Sequence, residues 1–153
     1  MIHPELLQSI PFLREVSPSL IAELAGRFEV RLHPKGTLLV EEGGEIGALH
    51  IICRGVVHAR QRSGSKEVLL ARIGVGGFFG EVNLFSEGKA TASIHVMEET
   101  EVASIPYAAF RDFMESHPSA GFRIVTRLME ELCHRLRQTN AKLAGNLFWS
   151  PRG

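Results

Sequence analysis

One carboxylate, set among glycines and hydroxyl-bearing residues, is the strongest chemical signal in this chain. Between Gly74 and Ile94 the sequence reads GVGGFFGEVNLFSEGKATASI. It opens on glycines, turns at Phe79-Gly80-Glu81, and carries a short apolar segment from Val82 to Phe85. It then loops through Gly88-Lys89-Ala90 and re-enters a strand at Thr91-Ala92-Ser93-Ile94. Backbone N–H groups freed by glycine, the start of a short helix and a strand bearing hydroxyls together make a cradle for an anion. Glu81 stands at its mouth. The same residues have blander readings: Glu81 as a first-turn carboxylate favoured by a helix dipole, and Gly80 as a tight turn needing positive φ.

The elements that must hold this stretch change period along the chain. Residues 3–26 read as short helices, with Ser17-Pro18 as an N-cap followed by proline at the first helical position. Leu20, Ile21 and Leu24 form one face of that helix, and Gly26 closes it. From Phe28 the pattern alternates, with Phe28, Val30 and Leu32 on one side and Glu29, Arg31 and His33 on the other. Short apolar runs follow at 37–40, 49–53, 56–61, 67–73, 91–97 and 100–105, separated by glycine-rich turns. That spacing predicts a small β-barrel or jelly roll. After Pro106 a helix carries Phe110, Phe113 and Met114 on one face, and Pro118 starts a longer one. Along it Val125, Met129, Leu132, Leu136, Thr139 and Leu143 recur at spacings of four and three, continuing to Asn146 or Leu147: a coiled-coil-like seam. From Pro118 to Asn146 such a helix spans about 43 Å. A small domain cannot easily cover that length, so a partner helix is expected.

The chain has 153 residues, enough for one domain that buries roughly 68–70% of its unfolded surface. Lys+Arg and Asp+Glu are 17 each, and this balance argues against an extended nucleic-acid footprint. No apolar run approaches the length of a membrane span, and the start MIHPELLQSIPFL lacks signal-peptide character. The expectation is a soluble, cytoplasmic protein. Cys53 and Cys133 have no metal-type spacing and read as small core or interface hydrophobes. No motif groups the histidines, His33, His58 and His95 included, into a metal site, and no nucleophile–base arrangement rises above chance. Arg123, Arg127, Arg135 and Arg137 read as a solvated helix face. The reading is therefore of a non-enzyme.

Three stretches, PKGTLLVEEGGEIGALHIICRGVV, LLARIGVGGFFGEVNLFSEG and ATASIHV, occur in this order before the helical tail RLRQTNAKL. Together they resemble the cyclic-nucleotide-binding domain of the catabolite activator protein superfamily, over nearly the whole chain. The resemblance implies a mainly β fold with helical flanks, a jelly roll of the double-stranded β-helix kind with N-terminal helices and a long C-terminal helix. One domain would span 1–153, with a helical lead-in at 1–26, a barrel at 27–105 and C-terminal helices at 106–147. The phosphate-binding cassette would be 79–93, comprising Phe79, Gly80, Glu81, Val82, Lys89, Ala90, Thr91, Ala92 and Ser93. Glu81 would hold the ribose 2′-hydroxyl, which suits an acceptor-only carboxylate. Backbone amides near Gly80 and Thr91-Ala92, with the Thr91 hydroxyl, would meet the cyclic phosphate. Thr139 and Asn140 fall where the family sets polar helix residues against the base; asparagine can pair with an adenine edge, or mark a polar break in the seam.

One residue departs from the pattern. The family has Arg-x-Ala-x-Val, and matching Ala92 and Ile94 to its last two fixed positions puts Ala90 where arginine belongs. Lys89 lies one residue earlier, but a flexible point charge does not replace a planar fork. Two functions compete. The first is a stand-alone regulatory module that binds a cyclic nucleotide (cAMP or cGMP) or a related anion, dimerises and signals to a protein effector through its C-terminal helix. The second is a degenerate, ligand-independent dimerisation or interaction scaffold. Only about seven residues follow Asn146, so a helix-turn-helix, and DNA binding by this chain alone, is not expected.

Overall fold

The computed structural model describes residues 1–149, with side-chain surroundings to residue 145. Two short helices, α1 (Pro4–Ser9) and α2 (Pro18–Ala25), flank a 3₁₀ turn at Pro11–Leu13. Ser17 is the N-cap of α2 in backbone position, but its side chain caps nothing. Eight strands follow: β1 (Glu29–His33), β2 (Leu38–Val40), β3 (Ala48–Arg54), β4 (Val57–Ser63), β5 (Lys66–Ile73), β6 (Phe78–Phe79), β7 (Ser93–Val96) and β8 (Thr100–Pro106). Helix α3 (Val82–Phe85) sits between β6 and β7, and α4 (Tyr107–Ser116) and α5 (Pro118–Trp149) end the described chain.

The strands pair antiparallel in two four-stranded sheets, ordered β1-β8-β3-β6 and β2-β7-β4-β5. This is the jelly roll expected from the alternating runs. The turn read at Phe79 is different: Phe78 and Phe79 form a short strand registered against Ile51 and His50. Two apolar residues in a glycine-rich run carry no period, which is why the alternation did not reveal it.

Two apolar clusters lie on opposite faces of the first sheet. Leu49, Ile51, Phe78, Ala103 and Ile105 join the helices, including Phe12, Leu24, Phe110 and Phe113. Ile52, Phe79 and Val102 turn inward to meet Val40, Val57, Ala90, Ile94 and Val96 between the sheets. The first sheet is thus buried on both faces along β3 and β8, and β3 reads as a continuous apolar run rather than a clean alternation. The second sheet is wetter. Its edge strand β5 is exposed over most of its length, and Leu32 on β1 is exposed despite its alternating position.

Helix α5 runs for 32 residues, about 48 Å, and has two characters. Ala120, Ile124 and Leu128 are buried in the helical cluster. The seam residues Val125, Met129, Leu136 and Leu143 are exposed. The chain's own barrel therefore does not cover the seam; Asn146 and Leu147, its expected continuation, lie outside the described side chains. Cys53 is half-buried, while Cys133 is exposed on α5 and does not belong to the core. No helix among the described residues is long and apolar enough to cross a membrane.

Candidate functional site

The cavity that matters opens between the two sheets, below α5. It measures about 270 Å³ and is walled by apolar side chains, among them Val40, Ile46, Leu70, Ile73, Phe79 and Ile94. Among the described residues two charged groups line it, Glu81 and Arg135. Glu81 is buried. An ionised group removed from water needs a partner, and the partner comes from α5: Nη1 of Arg135 donates to Glu81 Oε1 at 2.7 Å. Nη2 of the same guanidinium donates to Glu131 one turn earlier at 3.0 Å, and its Cζ lies over the Phe78 ring, 5.6 Å from the centroid. The barrel and the long helix are tied together at this carboxylate.

Local backbone chemistry explains how Glu81 is presented. Gly80 has φ +91°, and a Cβ there would meet the Ala48 carbonyl oxygen at 2.5 Å. The position therefore requires glycine on two counts, conformation and close approach. Tyr107, at the start of α4, donates its hydroxyl to the Gly80 carbonyl. Burial, and secondarily the charge of Glu81, push its phenol up to about 12, so it stays a donor. On the other side, Phe79 stacks on His50, with ring centroids 4.7 Å apart and planes 19° apart. His50 Nδ1 shares a 2.6 Å hydrogen bond with Ser104 Oγ. Burial, with a contribution from His33, lowers the imidazole pKa to about 4, leaving it neutral at pH 7. From the first turn of α3, Asn83 Nδ2 donates to the Gly88 carbonyl at 2.9 Å and pins the loop that follows the helix.

The loop itself is bonded into the barrel. Ala90 N donates to Gly44 O at 2.9 Å and Gly43 N donates to Ala90 O at 2.8 Å, while the Ala90 methyl is buried in the inner cluster. Glu42 N donates to Ser93 Oγ at 2.9 Å, and Gln61 Nε2 to Thr91 O at 3.1 Å.

Residues 30–117 match the profile of the family described as cyclic nucleotide-binding domain. The chain belongs to that family. It is 31% identical over 145 residues to a CRP-like cAMP-activated global transcriptional regulator of Mycobacterium tuberculosis, covering 94% of this chain and 63% of that one. It is also 31% identical over 121 residues to the cAMP-activated global transcriptional regulator CRP of Salmonella typhimurium, covering 77% and 55%. The chain thus spans less than two thirds of the length of these relatives. Among solved structures it resembles the catabolite activator protein of Thermus thermophilus, with a TM-score of 0.81, 27% identity, and coverage of 90% of this chain and 63% of that one.

Against the family pattern, the structure gathers some of the expected site residues and leaves others apart. Phe79, Gly80, Glu81, Val82, Ala90, Thr91 and Ala92 line the cavity. Val82 and Thr91 do so from exposed positions at its rim, and the Ala90 N–H is already taken by Gly44. Lys89 is exposed and is not part of the wall, so a lysine directed over the cavity is not what the loop presents. Ser93 faces Glu42 rather than the cavity. Thr139 and Asn140 are exposed and outside the wall, and Thr139 Oγ1 donates to its own helix, at Arg135 O.

Arg135 corrects the sequence reading most. Grouped with Arg123, Arg127 and Arg137 as a solvated face, it is instead the cavity's cation. A signal was present: Arg135 lies four residues before Thr139 and four after Glu131, so all three share one helix face. Arg127, by contrast, does face outward, paired with Glu15 and Glu130. Tyr107 carried no sequence signal at all, since its role depends on where α4 happens to meet Gly80.

Proposed function

We propose that this chain is a regulatory domain that binds a cyclic nucleotide, cAMP or cGMP, or a related small anion in the barrel cavity and reports occupancy through α5. A single observation carries the reading: the buried Glu81 of the cassette is held by an arginine of the long helix. A ligand placing a hydroxyl on Glu81 binds at the contact that ties α5 to the barrel. Its binding free energy thereby biases the position of α5, which is all that a ligand-driven switch requires. The exposed seam on α5 would carry the signal to a second copy of the chain, and the dimer to a protein effector in the cytoplasm. On this reading, residues 1–153 act as one non-catalytic unit, with no membrane contact and no DNA contact of their own.

Thermal unfolding with cAMP, cGMP and cyclic dinucleotides tests the reading. A ligand present at 100 times its Kd adds about 2.7 kcal/mol of stability. No shift with any of them at millimolar concentration would sink it. The scaffold reading has its own support in the internally paired Glu81 and Arg135 and the buried Ala90; it predicts a ligand-free dimer that none of these compounds perturbs.

A further inference from the structure

The charges around the cavity do not match a cassette that holds its own anion. Ala90 contributes a methyl group, and Lys89 is exposed and not part of the wall. Arg111 on α4 is committed to the Leu84 carbonyl. Arg60 belongs to the outer face of the second sheet, 3.6 Å from Glu67. Among the described residues lining the cavity, Arg135 is the sole cation.

We infer that Arg135 is the group that binds the ligand's anion, standing on the long helix in place of the arginine missing at Ala90. The inference rests on the reading of the cavity as an anion site. A guanidinium has five N–H donors in a planar fork; the two bonds to Glu81 and Glu131 leave donors for an oxyanion. The local balance also sets the ligand's charge. Two carboxylates and one guanidinium leave the cluster at −1 before any ligand arrives, so anion binding is favoured when the guanidinium is drawn from one carboxylate. Glu131, at 32% side-chain exposure against 9% for Glu81, is the one that water can take over. A singly charged cyclic phosphodiester fits this arrangement, and a doubly charged phosphomonoester does not.

The consequence is mechanical. Where a cassette arginine binds the phosphate, the anion is held by the barrel and α5 responds secondarily. Here the anion pulls on α5 itself, one turn from Glu131 and within reach of the seam residue Leu136.

Calorimetric titration of cAMP and of 5′-AMP distinguishes the possibilities. The proteins are the wild type, Arg135→Gln, Glu81→Gln, Glu81→Gln/Arg135→Gln and Ala90→Arg/Arg135→Gln. The double glutamine variant, compared with Glu81→Gln, removes the buried carboxylate that Arg135→Gln alone would strand, and so carries the test if that variant unfolds. Loss of Arg135 is expected to weaken cAMP by roughly 10–150-fold. Ala90→Arg should restore at least about tenfold of the loss, and 5′-AMP should bind wild type more weakly than cAMP. Binding of cAMP by Arg135→Gln that equals wild type, or by Glu81→Gln/Arg135→Gln that equals Glu81→Gln, overturns this inference alone. No cAMP binding by the wild type overturns the anion-site reading beneath it.

Discussion

The cassette and the long helix form opposite walls of one cavity but are built on different terms. The cassette is fixed: Gly80 has no room for a methyl group, Tyr107 holds the Gly80 carbonyl, and Ala90 is bonded on both sides to Gly43 and Gly44. It carries one buried acid, and its lysine, Lys89, is exposed and outside the cavity wall. Helix α5 is buried only to about Leu128; beyond that point its side chains are mostly exposed, and there it carries Arg135. The fixed wall supplies shape and an acceptor, and the less constrained wall supplies the positive charge. This division places the Glu81–Arg135 contact between the buried cassette and the mostly exposed part of α5.

Mutations on α5 should show the sharpest contrast. Ile124→Ala removes a fully buried side chain and should cost about 2–5 kcal/mol in urea unfolding. Met129→Ala, on the exposed seam, should change stability by no more than about 0.5 kcal/mol while weakening self-association in sedimentation. Equal costs would mean that the helix does not have two faces. On the fixed wall, Gly80→Ala should destabilise by about 2–3 kcal/mol, since it combines positive φ with a contact at 2.5 Å to backbone. Full stability of that variant would show the cassette to be less rigid than described.

A pH experiment probes the support behind Phe79. The His50 pKa is lowered in the fold to about 4 from an ordinary value near 6.5. The neutral form is therefore favoured by folding: its contribution is fully present above about pH 6.5 and is lost as pH falls through about 4. His50→Asn should make stability fall less steeply between about pH 6.5 and 4 than in the wild type; parallel curves would remove His50 from the account. The smallest effect belongs to Tyr107→Phe, which deletes one neutral hydrogen bond and should cost about 0.5–1.5 kcal/mol. The raised phenol pKa means this bond persists below about pH 10 and is lost as pH rises toward about 12.

The barrel was legible because alternation and glycine turns are local signals, and six of the eight strands fall on the runs marked after β1. Phe78–Phe79 escaped because a two-residue strand has no period to detect. The cassette was legible for a different reason: glycines, Glu81 and the following helix start are contiguous in sequence. Arg135 was harder to place: its spacing to Glu131 and Thr139 marks one helix face, but its partner Glu81 lies 54 residues away and the helical repeat does not say that this face meets the barrel. Thr139 and Asn140 were placed from the family pattern alone, and in this structure their face continues past the cavity into solvent.

Backbone hydrogen exchange with and without saturating cAMP tests the coupling between the two walls most directly. The account predicts that amides of the loop from Gly80 to Ala92 and of α5 around Glu131–Thr139 change protection together. Slowed exchange confined to the loop, with α5 unaltered, would contradict it.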